Sequence, residues 1–284
     1  MAKSRSHGRV GDPPPLPEAL PVPVVDNHTH LDLVLEAVPG TPAEALAKAA
    51  SVGIDRIVQV GVDAESSKWS ADLADEHPSV LAAVAVHPNE APALTGDRLD
   101  RSLAVIEELA ARPRVRAIGE TGMDFFRTQG SDELALQELS FRRHIDIAKR
   151  FDLPLMIHDR DAHDAVFRVL AEEGAPRTVV FHCYSGDTKM AYKCAEHGYY
   201  MSFAGNSTFT KAHNLRDAAV AAPRELLLVE TDAPFLTPSP HRGRPNAPYL
   251  VPLTVRALAE ARGEDLAALC TALSDNSERV YGPW

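Results

Sequence analysis

Val22-Pro23-Val24-Val25-Asp26-Asn27-His28-Thr29-His30 is the stretch on which the fold turns: an apolar, β-branched run passes directly into polar side chains able to bind metal. Its apolar residues are nearly continuous rather than alternating, which suits a strand buried on both faces of a parallel sheet. Runs of the same character recur at 56–60, 81–86, 115–118, 155–157, 178–181, 199–203 and 226–229, each followed by a polar or glycine-bearing loop. Parallel strands need helical crossovers. Helical spacing predicts these at 43–50, 66–76, 99–111, 133–150, 162–173, 188–197 and 215–221, with 252–262 after the eighth strand and 264–274 beyond it. Within 133–150, Leu134, Phe141, Ile145 and Ala148 share one face. Eight strand–helix units predict an α/β fold of the (β/α)8 TIM-barrel type, a single domain over 24–284. A doubly wound open sheet is the rival, but no GxGxxG or P-loop follows any run.

Barrel active sites are assembled from the C-terminal strand ends. The residues expected there are His28 and His30, His87, Glu120, His158, His182, and Glu230 with Asp232. Two positions apart on an extended chain, His28 and His30 point the same way and can chelate one cation. His158 and His182 can reach a second cation from the opposite wall. A carboxylate can give one oxygen to each of two ions, so Glu120 is the expected bridge. Asp232 is the candidate general base as well as a ligand of the first ion, and Glu120 and Asp232 are the expected catalytic pair. Two divalent ions (Mg, Mn or Zn) are therefore the expected cofactors, and with them no nucleophilic Ser or Cys is needed. Cys183, next to His182, is the one thiol placed to act as a nucleophile if the histidines did not serve a metal.

Composition sets limits on partners and compartment. A hydrophobic content of 45% with 24% charged residues is that of an ordinary globular chain. The longest apolar runs fall far short of the about 18 residues that span a bilayer, so no membrane association is expected. The 3 cysteines lack CxxC spacing, which argues against a disulfide framework and for a reducing, cytoplasmic setting. A net charge of −11 disfavours broad binding to duplex phosphates but not capture of a strand end. Residues 1–23 read as a flexible, Pro-rich extension without a signal-peptide core, and no obligate protein partner is implied.

From about Val24 to Tyr281 the chain resembles the TatD-type metal-dependent deoxyribonucleases, within the amidohydrolase-like barrel hydrolases. The resemblance rests on Asp26-Asn27-His28-Thr29-His30-Leu31-Asp32, Val86-His87-Pro88, Gly119-Glu120-Thr121-Gly122-Met123-Asp124, Ile157-His158-Asp159-Arg160-Asp161-Ala162, His182-Cys183-Tyr184-Ser185-Gly186 and Glu230-Thr231-Asp232-Ala233-Pro234, with Arg242-Gly243-Arg244-Pro245-Asn246 and Asn276 later. It implies one ion held by His28, His30, Glu120 and Asp232 and another by Glu120, His158 and His182. Met123 and Tyr184 depart from the residues usual in the family, Leu and Phe, without removing a ligand. The absence of a strand-4 lysine separates the chain from barrels bridged by a carboxylated lysine.

The expected activity is two-metal hydrolysis of phosphodiesters at the ends of DNA, single-stranded or end-bound, as a 3′–5′ exonuclease. A small-molecule amide or ester hydrolase using the same metals is the alternative, and a binding protein with a structural or vestigial metal site is a third reading. His87, Arg127, Arg160, Arg242 and Arg244 are the candidate substrate contacts, and Glu90 and Lys211 lie in loops expected on the same face.

Overall fold

Every strand of the computed structural model, which describes residues 11–284, pairs parallel with the next one along the chain. The strands are β1 (Val24–Thr29), β2 (Ile54–Val60), β3 (Val80–Val84), β4 (Val115–Asp124), β5 (Leu155–Arg160), β6 (Val179–Phe181), β7 (Tyr200–Phe203) and β8 (Leu227–Val229). That order is a barrel's, not a doubly wound sheet's, in which the strand order reverses at a switch point. Closure between β8 and β1 falls at the functional end: the Asp232 N–H donates to the His28 carbonyl at 2.9 Å, and the His30 N–H to the Ala233 carbonyl at 2.7 Å. The last contact that shuts the barrel thus also fixes three expected metal ligands relative to one another.

The helices are α1 (Leu31–Ala37), α2 (Pro42–Ala50), α3 (Ala64–Glu76), α4 (Arg98–Ala110), α5 (Ser131–Phe151), α6 (His163–Glu173), α7 (Thr188–His197), α8 (His213–Ala221), α9 (Val251–Arg262) and α10 (Leu266–Tyr281). Alternation along each strand splits the apolar side chains between two packed regions. Val25, Val58, Leu81, Ala117, Met156, Val180 and Leu228 fill the barrel interior. Their neighbours Val24, Ile57, Ala82, Ile118, Val179 and Leu227 meet the helices, where Phe141, Ile145, Val166 and Leu258 are fully or almost fully buried. Both faces are covered, which is why the runs read as continuous. At the end opposite the site, Val280 and Tyr281 of α10 complete the interior cluster, and the Trp284 indole N–H donates to the Ser79 carbonyl just before β3.

Three expectations need correction. Helix α1 was not predicted; it is only seven residues long and its N-terminus has no side-chain cap. Helix α10 continues to Tyr281, past the predicted 274, and carries Asn276, whose amide donates to the Leu227 and Arg224 carbonyls at the β8 end. Strand β4 continues to Asp124 rather than stopping at 118, pairing Gly122 with His158 and Asp124 with Arg160. Glycines 119 and 122 read as loop residues, yet Gly122 is what lets the two backbones meet. A Cβ there would lie 2.1 Å from the His158 carbonyl oxygen, at a backbone φ of +141°.

Gly122→Ala is expected to destabilise the fold by about 3 kcal/mol or more. The comparison is Gly198→Ala, which has positive φ but open space around it and should cost about 1 kcal/mol. Equal losses in chemical denaturation would show that β4 and β5 are not in contact through Gly122.

Of the 1–23 extension, residues 1–10 lie outside the described residues. Over 12–20 the chain lies against the barrel: Tyr249 Oη donates to the Pro14 carbonyl at 2.7 Å, Arg244 Nε to the Asp12 carbonyl at 2.8 Å and Leu20 N–H to the Val52 carbonyl at 3.0 Å. A Pro-rich composition describes a free chain and gives no sign of these donors.

Candidate active site

Glu120, buried within β4, turns its two oxygens toward different histidines. Oε2 lies 3.5 Å from His28 Nε2 and 3.8 Å from His30 Nε2. Those two nitrogens are 3.2 Å apart, and Asp232 Oδ1 stands 3.8 and 3.6 Å from them. Oε1 lies 2.6 Å from His158 Nδ1 and 2.8 Å from His182 Nε2. Spacings of this order are those between neighbouring donors around a common cation, whose bonds to N and O are about 2.0–2.2 Å.

The far side of each imidazole decides what its near side offers. His30 Nδ1 lies 3.0 Å from the Val60 carbonyl, His182 Nδ1 3.1 Å from Glu230 Oε1 and His158 Nε2 3.2 Å from Asp124 Oδ2. Each of these partners only accepts, so with a cation on the cluster side the hydrogen of the neutral ring has an acceptor there and the other nitrogen is left to turn a lone pair into the cluster. His28 Nδ1 contacts the Met156 thioether at 3.1 Å in the same sense. Lone pairs of His28 and His30 facing at 3.2 Å repel unless a proton or a metal ion stands between them. The donor set therefore fits metal.

His87 is built the other way. Its Nδ1 accepts from the Asn89 N–H at 2.9 Å, so Nε2 carries the hydrogen and donates to Glu120 Oε1 at 3.1 Å. Although His87, Glu120 and His158 lie close enough to form a donor group of their own, this tautomer makes His87 a hydrogen-bond donor to the site and not a ligand.

Without metal, the carboxylates draw protons onto the imidazoles. Burial opposes a charge on His30, yet the hydrogen bond to Asp232 and the charges of Glu120 and Asp232 outweigh it and push its pKa up to about 9. His182 is likewise raised, against burial, by Glu120 and Glu230. A cation binding at His30 must displace that proton below about pH 9, so its apparent affinity should rise about tenfold per pH unit between about pH 7 and 9 and level off above. Calorimetric titrations in buffers of different ionisation enthalpy would count the released proton. A flat affinity without proton release would exclude His30 as a ligand.

The cluster opens into a cavity of about 400 Å³, whose rim includes Arg127, Arg160, Ser185, Asn206 and Phe235. Arg127 and Arg160 have no hydrogen bond or ion pair to their guanidinium groups among the described residues; Arg160 lies over the Phe126 ring at 3.9 Å. The other two candidate arginines are elsewhere. Arg242 stacks on Phe209 at 4.4 Å, Arg244 donates to the Asp12 and Pro13 carbonyls, and neither lines the cavity; nor do Glu90 and Lys211. Cys183 does line it, but burial and the nearby carboxylates raise its thiol well above the ordinary range and keep it protonated. That environment is the reverse of an activated nucleophile's.

The profile of a family described as TatD related DNase matches residues 25–282. The chain belongs to the TatD family. The metal-dependent hydrolase TatD of Mycobacterium tuberculosis is 46% identical over 265 residues, 91% of this chain and 98% of that one. YcfH of Escherichia coli, also a metal-dependent hydrolase by name, is 35% identical over 91% of this chain and 95% of its own. The crystal structure of YjjV, a TatD homologue from E. coli, superposes with a TM-score of 0.82 at 29% identity, covering 91% of this chain and 97% of that one. This TatD-family protein is a metal-dependent hydrolase on a TIM barrel.

Sequence reading assigned no role to several residues that shape this TatD-family site. Asp124 and Glu230 hold His158 and His182 from behind, and Asn89 fixes both His87 and Asp124, donating to Asp124 Oδ2 at 2.9 Å. Asp26, fully buried, accepts from the Thr231 N–H at 2.8 Å and hydroxyl at 2.5 Å, tying β1 to the Asp232 turn; burial pushes its pKa up to about 8. Only their position beside the ligands in the quoted motifs could have drawn attention to them.

Proposed function

We propose that the protein is a two-metal phosphodiesterase that removes nucleotides from the 3′ ends of DNA. The observation that carries this reading is the pair of guanidiniums, Arg127 and Arg160, on the rim of the cavity that holds the split Glu120 cluster, neither of them in a hydrogen bond or ion pair among the described residues. Many arginines elsewhere are held in ion pairs, such as Arg142 with Glu138 and Arg112 with Asp72, and others by backbone carbonyls, such as Arg98 and Arg216. Two whose charge no carboxylate neutralises, beside a hydrolytic centre, suit an anionic substrate; a neutral amide or ester would have no use for them. The chain's net charge of −11 limits contact to a strand end rather than a long duplex.

In this reading His28, His30, Glu120 and Asp232 hold one ion and Glu120, His158 and His182 the other, His30 and Asp232 standing on opposite sides of the β1–β8 seam. Bound ions would supply positive charge and a water whose pKa is lowered toward about 7. Asp232, whose Oδ1 faces the two β1 histidines, would be the group that accepts a proton there. Arg127 and Arg160 hold the non-bridging phosphate oxygens, and the His87 Nε2–H, aimed at Glu120, holds the bridging carboxylate in place.

Metal-loaded protein incubated with single-stranded DNA labelled at its 5′ end should give a ladder that shortens from the 3′ end. Intact DNA together with turnover of neutral esters or amides would favour the small-molecule alternative instead.

A further inference from the structure

Among the described residues Phe126 is one of the few large apolar side chains left exposed, at 57%, and its chain neighbour Arg127 lines the cavity. Its ring covers the guanidinium of Arg160, 3.9 Å from centroid to Cζ, and Arg160 lines the cavity next to His158 and Asp159. Resting on the phosphodiesterase reading above, we infer that Phe126 and Arg160 form a stacking seat for the base of the nucleotide whose phosphate enters the cavity.

The backbone holds this seat at a fixed offset from the reacting groups. The Phe125 N–H donates to the Arg160 carbonyl at 2.9 Å, continuing the β4–β5 ladder to the edge of the turn. Beyond it, the Arg127 N–H donates to Asp124 Oδ1 at 2.8 Å and the Thr128 N–H to the Asp124 carbonyl at 3.3 Å. Asp124 Oδ2 is the acceptor for His158 Nε2. One aspartate therefore closes the turn that projects Phe126 and also orients a histidine of the metal cluster.

The chemistry of the seat selects its occupant. A single ring beside cationic side chains is too small and too charged a surface for an apolar protein or lipid partner. A nucleobase stacks on a phenyl face and on a guanidinium plane alike, whatever its identity, while the phosphate next to it takes the guanidinium N–H groups. Cation and ring together offer a place for each half of a nucleotide.

The test compares two ligands with the same phosphate, 2′-deoxyadenosine 5′-monophosphate and 2-deoxyribose 5-phosphate, binding to metal-loaded protein by calorimetry. The wild-type protein should bind the nucleotide about tenfold or more tightly than the sugar phosphate. Phe126→Ala should shrink that preference to about twofold or less, Phe126→Trp should keep it, and Arg160→Ala should weaken both ligands. A preference retained in Phe126→Ala, equal affinities in the wild type, or no affinity for either ligand overturns the seat. If the preference collapses in Phe126→Ala while DNA ends stay intact, the nucleotide seat stands and the nuclease reading falls.

Discussion

Glu120→Ala protein is expected to lose metal from both halves of the cluster and to hydrolyse its substrate about 10³-fold or more slowly. The reason is the division of labour between its oxygens: Oε2 faces His28 and His30, Oε1 faces His158 and His182. Removing the carboxylate leaves each half with imidazoles alone or with one remote carboxylate, and removes the negative charge that both ions would share. Glu120→Gln makes the argument sharper. The amide keeps one carbonyl oxygen and replaces the other with an NH₂ group that cannot ligate, so one position should survive and the other fail. Elemental analysis of dialysed protein, alongside hydrolysis rates, reads both outcomes. Loss of a single ion from Glu120→Ala would contradict the bridge.

The barrel was legible because parallel strands packed on both faces leave an unmistakable trace, and runs such as 155–157 and 178–181 fell within β5 and β6 or within a residue of β6. Six residues expected as ligands do converge, since strand ends in a barrel have one place to point. Features fixed by tertiary contact left no such trace. Gly122 looks like a loop residue until the His158 carbonyl is seen pressed against it. Arg242 and Arg244 look as available as Arg127 and Arg160. Whether an arginine lines the cavity, as Arg127 and Arg160 do, or is held away from it, as Arg244 is by the Asp12 and Pro13 carbonyls and Arg242 beside Phe209, depends on tertiary neighbours that sequence spacing does not report. Asp124 and Glu230 were visible as acidic residues next to motif positions, but their role is a hydrogen bond to the rear of an imidazole, which only coordinates can assign.

Asp232→Asn is expected to lower kcat by about 10³-fold while changing KM little, with partial loss of metal at the His28 and His30 position only. The substitution is suited to separating charge from structure. Asp232 has φ of 51°, in the left-handed region that Asn also tolerates, and its N–H bond to the His28 carbonyl belongs to the backbone and remains. Asn keeps a carbonyl oxygen near the Oδ1 position 3.6 Å from His30 Nε2 but cannot accept a proton from water. Asp232→Glu would retain the base on a longer arm, shifting the carboxylate from its place 3.8 and 3.6 Å from the His28 and His30 nitrogens, and should fail chiefly in metal binding. If Asp232→Asn turns over at the wild-type rate with its metal intact, the proton goes elsewhere. Asp124 is then the next carboxylate to test, since it lines the same cavity and faces His158. If instead Asp232→Asn loses all activity in proportion to lost metal and recovers it at saturating ion, Asp232 is a ligand and not the base.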